Sequence, residues 1–400
     1  MSMVKLLDCT LREAPLVSVG KDNIIKTIAN LEAANIDFLE CAFLCSNIDY
    51  EDGSAHFNSV EQIEEYLQYK KPGICYTACT QWPDYDINML SKFNGKSVDG
   101  IRYVLKKGQL DQAVEALNVI MQKGYKAFLQ NADSISFTEE EIVEVINKVN
   151  EIKPYAYSIS DTYGAMYLED VRHLFEIVDK CLDRDILFGF HSHNNLLMAN
   201  ANAQEFLSLC TASGRDGFID SSVWGCGIGA GNAKTELAVP YLNRIYGKKY
   251  DLDPILLIID EVIPDIEKRC SWGYKVPTFL SGVTNAVTTH ADFLANHYKH
   301  LMSEDILKII NSMSAKERKN NNMEITQNKY LTFVEKQLNM LSSTLDKKKI
   351  KKMKYGLQKT KLKINIMQNI MQLRDTHPKL FQILRTLYRG NFIVKRIFRI

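Results

Sequence analysis

Residues 127–160 read AFLQNADSISFTEEEIVEVINKVNEIKPYAYSIS, and this one stretch contains the repeating unit of the whole chain. Residues 127–131 form a short apolar run of strand type. Thr138, with Glu141 three places on, is a capping box that opens a helix. Residues 139–152 then carry apolar side chains at helical spacing, and residues 155–160 are the next strand-like run.

The same alternation extends in both directions. Strand candidates are 4–10, 37–43, 73–79, 100–105, 127–131, 155–160, 186–191 and 217–221. Helical candidates between them include 23–34, 60–69, 110–122, 139–152, 168–182 and 199–212. Repeated strand–helix units imply a parallel sheet, and eight of them predict a closed (β/α)₈ TIM barrel, with a doubly wound open sheet as the alternative. The long gap between 43 and 73 leaves room for a surface excursion before its helix.

Past the eighth unit the pattern changes. Helices are expected at 254–263, with Pro264 as a stop, and at 302–312. Residues 316–322 look like a polar linker, followed by a helix near 330–345 and a basic amphipathic tail. The resulting division is a catalytic barrel at 1–250, a helical extension packed on it at 251–315, and a linker with a basic helical tail at 316–400. Net charge supports a split. From Lys347 onward there are 16 Lys and Arg against one acidic residue, whereas the preceding 346 residues carry 33 basic and 47 acidic side chains.

Of the 400 residues 46% are hydrophobic and 24% charged, as in an ordinary globular protein with a large core. No apolar run approaches the ~18 residues of a membrane span. The first residues resemble no secretory signal, and nine cysteines without CxxC pairing suit reduced thiols. A cytoplasmic location is the expectation.

In a (β/α)₈ barrel the chemistry lies at the C-terminal ends of the strands. Residues 189–195, Gly-Phe-His-Ser-His-Asn-Asn, end the seventh strand, and alternation puts His191 and His193 on one side, within reach of one ion. Two imidazoles plus a carboxylate make a set for a first-row divalent metal; the rival is a pair of polar loop histidines. On the first strand Asp8, Thr10 and Arg12 share a face if the extended backbone continues, with Glu13 opening the loop. Arg12 suits a developing enolate oxygen. Glu40, buried in an apolar second strand, needs a partner, and Arg12 is the natural one; a structural bridge at the rim is the plainer role. The sixth strand closes on Asp161 and Tyr163. The loop 225–232, with Gly229, Gly231 and Asn232, offers backbone N–H groups to an anion, although tight turns use glycine too.

Together D-x-T-L-R, L-E on strand two, S-D-T-Y-G-A, H-x-H-N-N and G-x-G-A-G-N-x-x-T-E resemble the DRE-TIM metallolyases over roughly residues 4–245. The pyruvate-aldolase branch, that of 4-hydroxy-2-oxovalerate aldolase, is the most similar. The resemblance implies a divalent ion, Mn²⁺ or Mg²⁺ ahead of Zn²⁺, held by Glu13, His191 and His193. It implies Arg12 and Glu40 as catalytic residues and Asn195 as a polar support, with Asp161, Gly229, Gly231 and Asn232 toward substrate. Two departures stand out. Glu13 replaces the family's Asp, and Leu16 occupies the position of the aldolases' catalytic His. Tyr163, Tyr274 and His290 are candidates for the missing base.

The function expected is carbon–carbon bond making or cleavage through the enolate of a small 2-oxo acid. The alternatives are a Claisen-type acyltransferase or CoA lyase of the same superfamily, or a degenerate barrel that only binds. A homo-oligomer is expected. For the tail, docking on the acidic barrel ranks before peripheral contact with an anionic membrane, and nucleic acid ranks last.

Overall fold

A computed structural model describes residues 3–14 and 19–340, together with 355, 356 and 358. Leu16, the basic run 347–354 and the tail 374–400 lie outside the described residues. Contacts divide the chain into two compact units, Met1–Leu307 and Lys308–Ile400.

In the first unit the strands are β1 (Val4–Asp8), β2 (Phe38–Leu44), β3 (His56–Phe57), β4 (Cys75–Gln81), β5 (Gly100–Leu105), β6 (Lys126–Asn131), β7 (Ala156–Asp161), β8 (Leu187–Ser192) and β9 (Gly217–Ser221). Every named pairing is parallel. The order β1-β9-β8-β7-β6-β5-β4-β2 closes through β2 pairing back to β1, so the eight-stranded barrel is formed. The short β3 extends the mouth end of β2 and accounts for the long second gap.

The helices that wrap the strands are α1 (Thr10–Glu13), α2 (Lys21–Ala33), α3 (Val60–Glu64), α4 (Leu110–Gln122), α5 (Glu139–Ile152), α6 (Leu168–Cys181), α7 (Ala199–Ser213) and α8 (Thr235–Tyr246). The capping box forms as read: Thr138 Oγ1 accepts from Glu141 N at 3.3 Å, and the Glu141 carboxylate accepts from Thr138 N at 2.7 Å. Ile142, Val145, Ile146 and Val149 of α5 are buried, the i, i+3, i+4, i+7 face that the periodicity predicts.

Three local expectations are corrected. The helix at 60–69 ends at Glu64, because Tyr66 and Leu67 make tighter i→i+3 bonds and Tyr66 turns its ring onto Phe57. Pro264 starts α10 (Ile263–Glu267) instead of only stopping α9 (Asp253–Glu261); in a first helical turn its missing N–H costs nothing. The polar stretch 316–322 is partly helical. The first unit also contains α11 (Val276–Thr284) and α12 (Thr288–His297); α13 (Ser303–Asn311) follows, and in the second unit Ser314 and Glu317 form a capping box that opens α14. That α14 spans Ala315–Arg318 and precedes α15 (Met323–Met340). Among the described residues no helix is long and apolar enough to cross a membrane.

The barrel interior has a distinct floor. Leu7, Phe38, Cys75, Phe128, Ala156, Leu187 and Phe218, one from each of seven strands, form a buried cluster separate from the core under the helices. The eighth strand contributes Gly100, and a Cβ there would lie 2.7 Å from the Phe128 ring. Gly189 is tighter still, with Phe218 filling the place of its side chain at 2.2 Å. Glycine opposite phenylalanine lets edge-to-face rings close the floor, as Phe38 does with Phe128 at 5.9 Å and Phe218 at 5.7 Å.

Candidate active site

At the mouth, β1 stops at Asp8 and the chain makes one helical turn. The extended face expected for Asp8, Thr10 and Arg12 is therefore broken. Asp8 faces α8 and accepts from Thr10 N at 2.9 Å and Thr235 Oγ1 at 2.5 Å. Thr10 Oγ1 accepts from Val223 N at 2.8 Å, which ties the first strand's end to the loop after β9. The turn brings the adjacent Arg12 and Glu13 into contact with each other, through Nη1 and Oε1.

From Arg12 the ionic contacts run around the barrel and return. Arg12 Nε donates to Glu40 Oε2 at 2.8 Å, and Glu40 Oε1 lies 3.0 Å from Arg102 Nε. Arg102 grips Asp220 through both terminal nitrogens, with Nη2–Oδ1 at 3.1 Å. Asp220 Oδ2 meets His191 Nδ1 at 2.9 Å, and His191 Nε2 faces Glu13 Oε1 at 3.7 Å. Six side chains close this ring. A bulge between Glu40 and Ala42 lies beside it on β2. Burial alone would raise the Asp220 carboxyl, but Arg102 and the His191 bond hold it far below the usual carboxylate range. Glu13 is likewise lowered against its burial by Arg12, His193 and His191, and by a hydrogen bond from Asn232.

The donor set fits a divalent ion. Each histidine has its Nδ1 engaged: His191 with Asp220, and His193 with the carbonyl of Asp161 at 3.2 Å. That arrangement leaves Nε2 as the free lone pair on both rings, the usual second layer of a metal-binding histidine. His191 Nε2 is buried without a hydrogen-bond partner, and so is Asn232 Oδ1, whose Nδ2 donates to Cys226 O at 2.8 Å. Buried polar atoms are rarely left so, and both of these belong to side chains that meet Glu13: His191 Nε2 lies 3.7 Å from Oε1, and the Asn232 side chain hydrogen-bonds the carboxylate. The His191 and His193 rings are 5.0 Å apart, edge to face, as two-residue alternation requires. Burial and the neighbouring His191 push His193 down to about 4, which keeps it neutral and able to ligate.

Cys9, Glu13 and His191 bring one ligand atom each within 4.8 Å of one another, so Cys9 rather than His193 completes the tightest trio. We assign Cys9 to the floor nonetheless. Its thiol donates to Ser221 O at 3.2 Å, and burial raises it well above the usual thiol range.

Other candidates are placed differently. The Asp161 carboxylate accepts from Ala165 N at 2.8 Å and Met166 N at 3.0 Å, so it shapes the turn after β7, while its backbone carbonyl orients His193. Tyr163 stands in that turn outside the ionic ring, its phenol raised by burial and by Asp133. Asn195 clamps three elements: Oδ1 accepts from Ala230 N at 2.8 Å, and Nδ2 reaches Ser281 and Thr288 at 3.4 Å. The glycines serve close packing. A Cβ on Gly231 would lie 1.9 Å from Gly225 O, and one on Gly229 2.8 Å from Asn195 Oδ1. Backbone N–H groups of Ala230, Gly231, Asn232 and Ala233 are committed within the protein, which takes them away from the anion cradle expected of this loop.

Sequence reasoning missed Arg102 and Asp220. The signal was present, since each is a charge in the middle of an apolar strand run, the same argument that singled out Glu40.

Residues 3–260 match the profile of the HMGL-like family. The chain belongs to that family. The DRE-TIM resemblance read from the five motifs is thereby borne out. A 4-hydroxy-2-oxovalerate aldolase of Carboxydothermus hydrogenoformans is 25% identical over 307 residues, 74% of this chain and 88% of the relative. An oxaloacetate decarboxylase of Mycobacterium tuberculosis is 23% identical over 250 residues, 60% of this chain and 70% of the relative. The solved N-terminal domain of an aldolase candidate from Bacteroides vulgatus shares the fold, with a TM-score of 0.61 at 23% identity over 74% of this chain and 97% of that one.

Proposed function

We propose that this HMGL-like chain is a divalent-metal-dependent carbon–carbon lyase, an aldolase acting on small 2-oxo acids of pyruvate type. The observation that carries the reading is the pair of orphaned buried atoms, His191 Nε2 and Asn232 Oδ1, beside the lowered carboxyl of Glu13. Glu13, His191, His193 and Asn232 would hold the ion. This mixed nitrogen and oxygen set suits Mn²⁺; its imidazoles also attract Zn²⁺, and its oxygens Mg²⁺. Bound there, the ion supplies Lewis acidity toward a 2-oxo carboxylate.

The chain's own residues supply the rest. In retro-aldol cleavage a base takes the C4 hydroxyl proton, and the freed O–H pair forms the aldehyde C=O as the C3–C4 bond breaks. That bond's pair forms C2=C3 while the C2 carbonyl pair moves onto its oxygen, and a proton returned to C3 releases pyruvate. Arg12 Nη2 is a buried donor with no hydrogen-bond partner, and it is available to that growing charge. Glu40 fixes the guanidinium by its bond to Nε, and the buried wall of β1, β2, β8 and β9 excludes water.

Leu16 favours a second reading. A leucine cannot accept the hydroxyl proton, whereas decarboxylation of a 2-oxo diacid reaches the same enolate without a hydroxyl base. Both readings meet in one experiment: the EDTA-treated protein is given Mn²⁺, Mg²⁺ or Zn²⁺, and pyruvate release from 4-hydroxy-2-oxo acids and from oxaloacetate is measured. Metal-restored release from the first class supports the aldolase, and from oxaloacetate alone the decarboxylase. No metal-dependent turnover on either class, or on pairs of 2-oxo acid and acyl-CoA, sinks the lyase reading.

A further inference from the structure

Arg102 projects from β5, on the far side of the interior from Arg12, yet it reaches both working halves of the site. Both terminal nitrogens hold Asp220, Nη1 also reaches Gln130 Oε1 at 2.9 Å, and Nε lies 3.0 Å from Glu40. Each carboxylate also carries a functional group, on the oxygen Oδ2 that Asp220 shares with Arg102 Nη1 and on the separate oxygen Oε2 of Glu40. Asp220 takes His191 Nδ1, and Glu40 takes Arg12 Nε. Arg102, Glu40, Asp220 and His191 are each only 1% exposed, so water cannot stand in for a missing partner. The guanidinium carbon lies 5.9 Å from the centroid of the Phe218 ring, which sets its height above the floor.

We propose that Arg102 is a positioning residue, whose one buried fork fixes the His191 tautomer through Asp220 and the aim of Arg12 through Glu40. The inference rests on the metal reading above for what the site is used for. An arginine serving only to fill the interior needs one carboxylate; this one has two, and each is shared with a different side chain of the active site. Asp220 accepts the Nδ1 proton, so Nε2 keeps its lone pair toward Glu13. A lysine at the same place would carry the charge on a single point and could not grip Asp220 with two nitrogens while pairing with Glu40 through a third.

The test uses full-length protein with ¹⁵N-labelled histidine, the His191 signals being assigned by their loss in His191→Ala. Long-range ¹H–¹⁵N spectra of the metal-free protein report the tautomer, and calorimetric titration of the same samples reports Mn²⁺ affinity. The wild type should show a single Nδ1–H form. Arg102→Lys, or the isosteric Asp220→Asn if the first does not fold, should mix the tautomers and weaken Mn²⁺ binding by about 10- to 100-fold, with circular dichroism unchanged. Folded variants with a lower Tm but the wild-type tautomer and affinity would overturn the proposal and leave Arg102 a structural filler. If the wild type binds no Mn²⁺, Mg²⁺ or Zn²⁺, the functional reading fails, and the tautomer comparison alone decides the role of Arg102.

Discussion

On β2, β5 and β9 the mouth residues Glu40, Arg102 and Asp220 lie two positions beyond the floor residues Phe38, Gly100 and Phe218, and the two layers obey opposite rules. On the floor, rings fill the space left by glycines, and packing and the exclusion of water dominate. At the mouth, Arg12, Glu13, Glu40, Arg102, His191 and Asp220 are buried charges and dipoles, each held by its neighbours in a ring. Errors in volume strain the floor. Errors in pairing break the mouth, because a charge left alone in a dry interior has nothing to replace its partner. One contact across the boundary is Arg102 above Phe218.

Glu40→Ala is the harshest way to break the comparison. It strips a partner from two arginines at once, and we expect about 3–5 kcal/mol of lost stability in urea unfolding. A loss below about 1 kcal/mol would mean that the ring is not a cooperative unit. Arg12→Lys should fold normally, since Arg12 lies at the rim, but should lower turnover about 10²- to 10³-fold in the pyruvate-release assay. Near-normal turnover would remove Arg12 from the chemistry.

His191→Ala and His193→Ala sharpen the contrast in the opposite sense. Each should lower Mn²⁺ affinity at least 10-fold by calorimetry while the far-ultraviolet spectrum stays native, because the floor below carries the fold. Full affinity in either variant would take that residue out of the ligand set. On the floor, Gly189→Ala drives a methyl into the Phe218 ring and should cost about 1–3 kcal/mol. Metal affinity should change only through any tilt transmitted to Arg102. Thr138→Ala touches neither layer. Loss of its cap should cost about 1 kcal/mol in the same unfolding experiment and leave metal affinity untouched; a change in affinity would show that the outer helix α5 is coupled to the mouth.

Much of this was legible in one dimension. Eight alternations of strand and helix periodicity specify a barrel, because local hydrophobic spacing records which face of each element is buried. The His191–His193 pair follows from a two-residue repeat, and the Arg12–Glu40 partnership from the cost of burying one carboxylate alone. What no local pattern contains is which inward faces meet. Arg102 and Asp220 are 118 residues apart and come together only because barrel closure brings β5 and β9 to face each other across the interior. For the same reason Asp161 and Asn195, polar residues at the right strand ends, turned out to hold loops. Chain periodicity determines whether a side chain points in or out; the register of closure decides what it finds there.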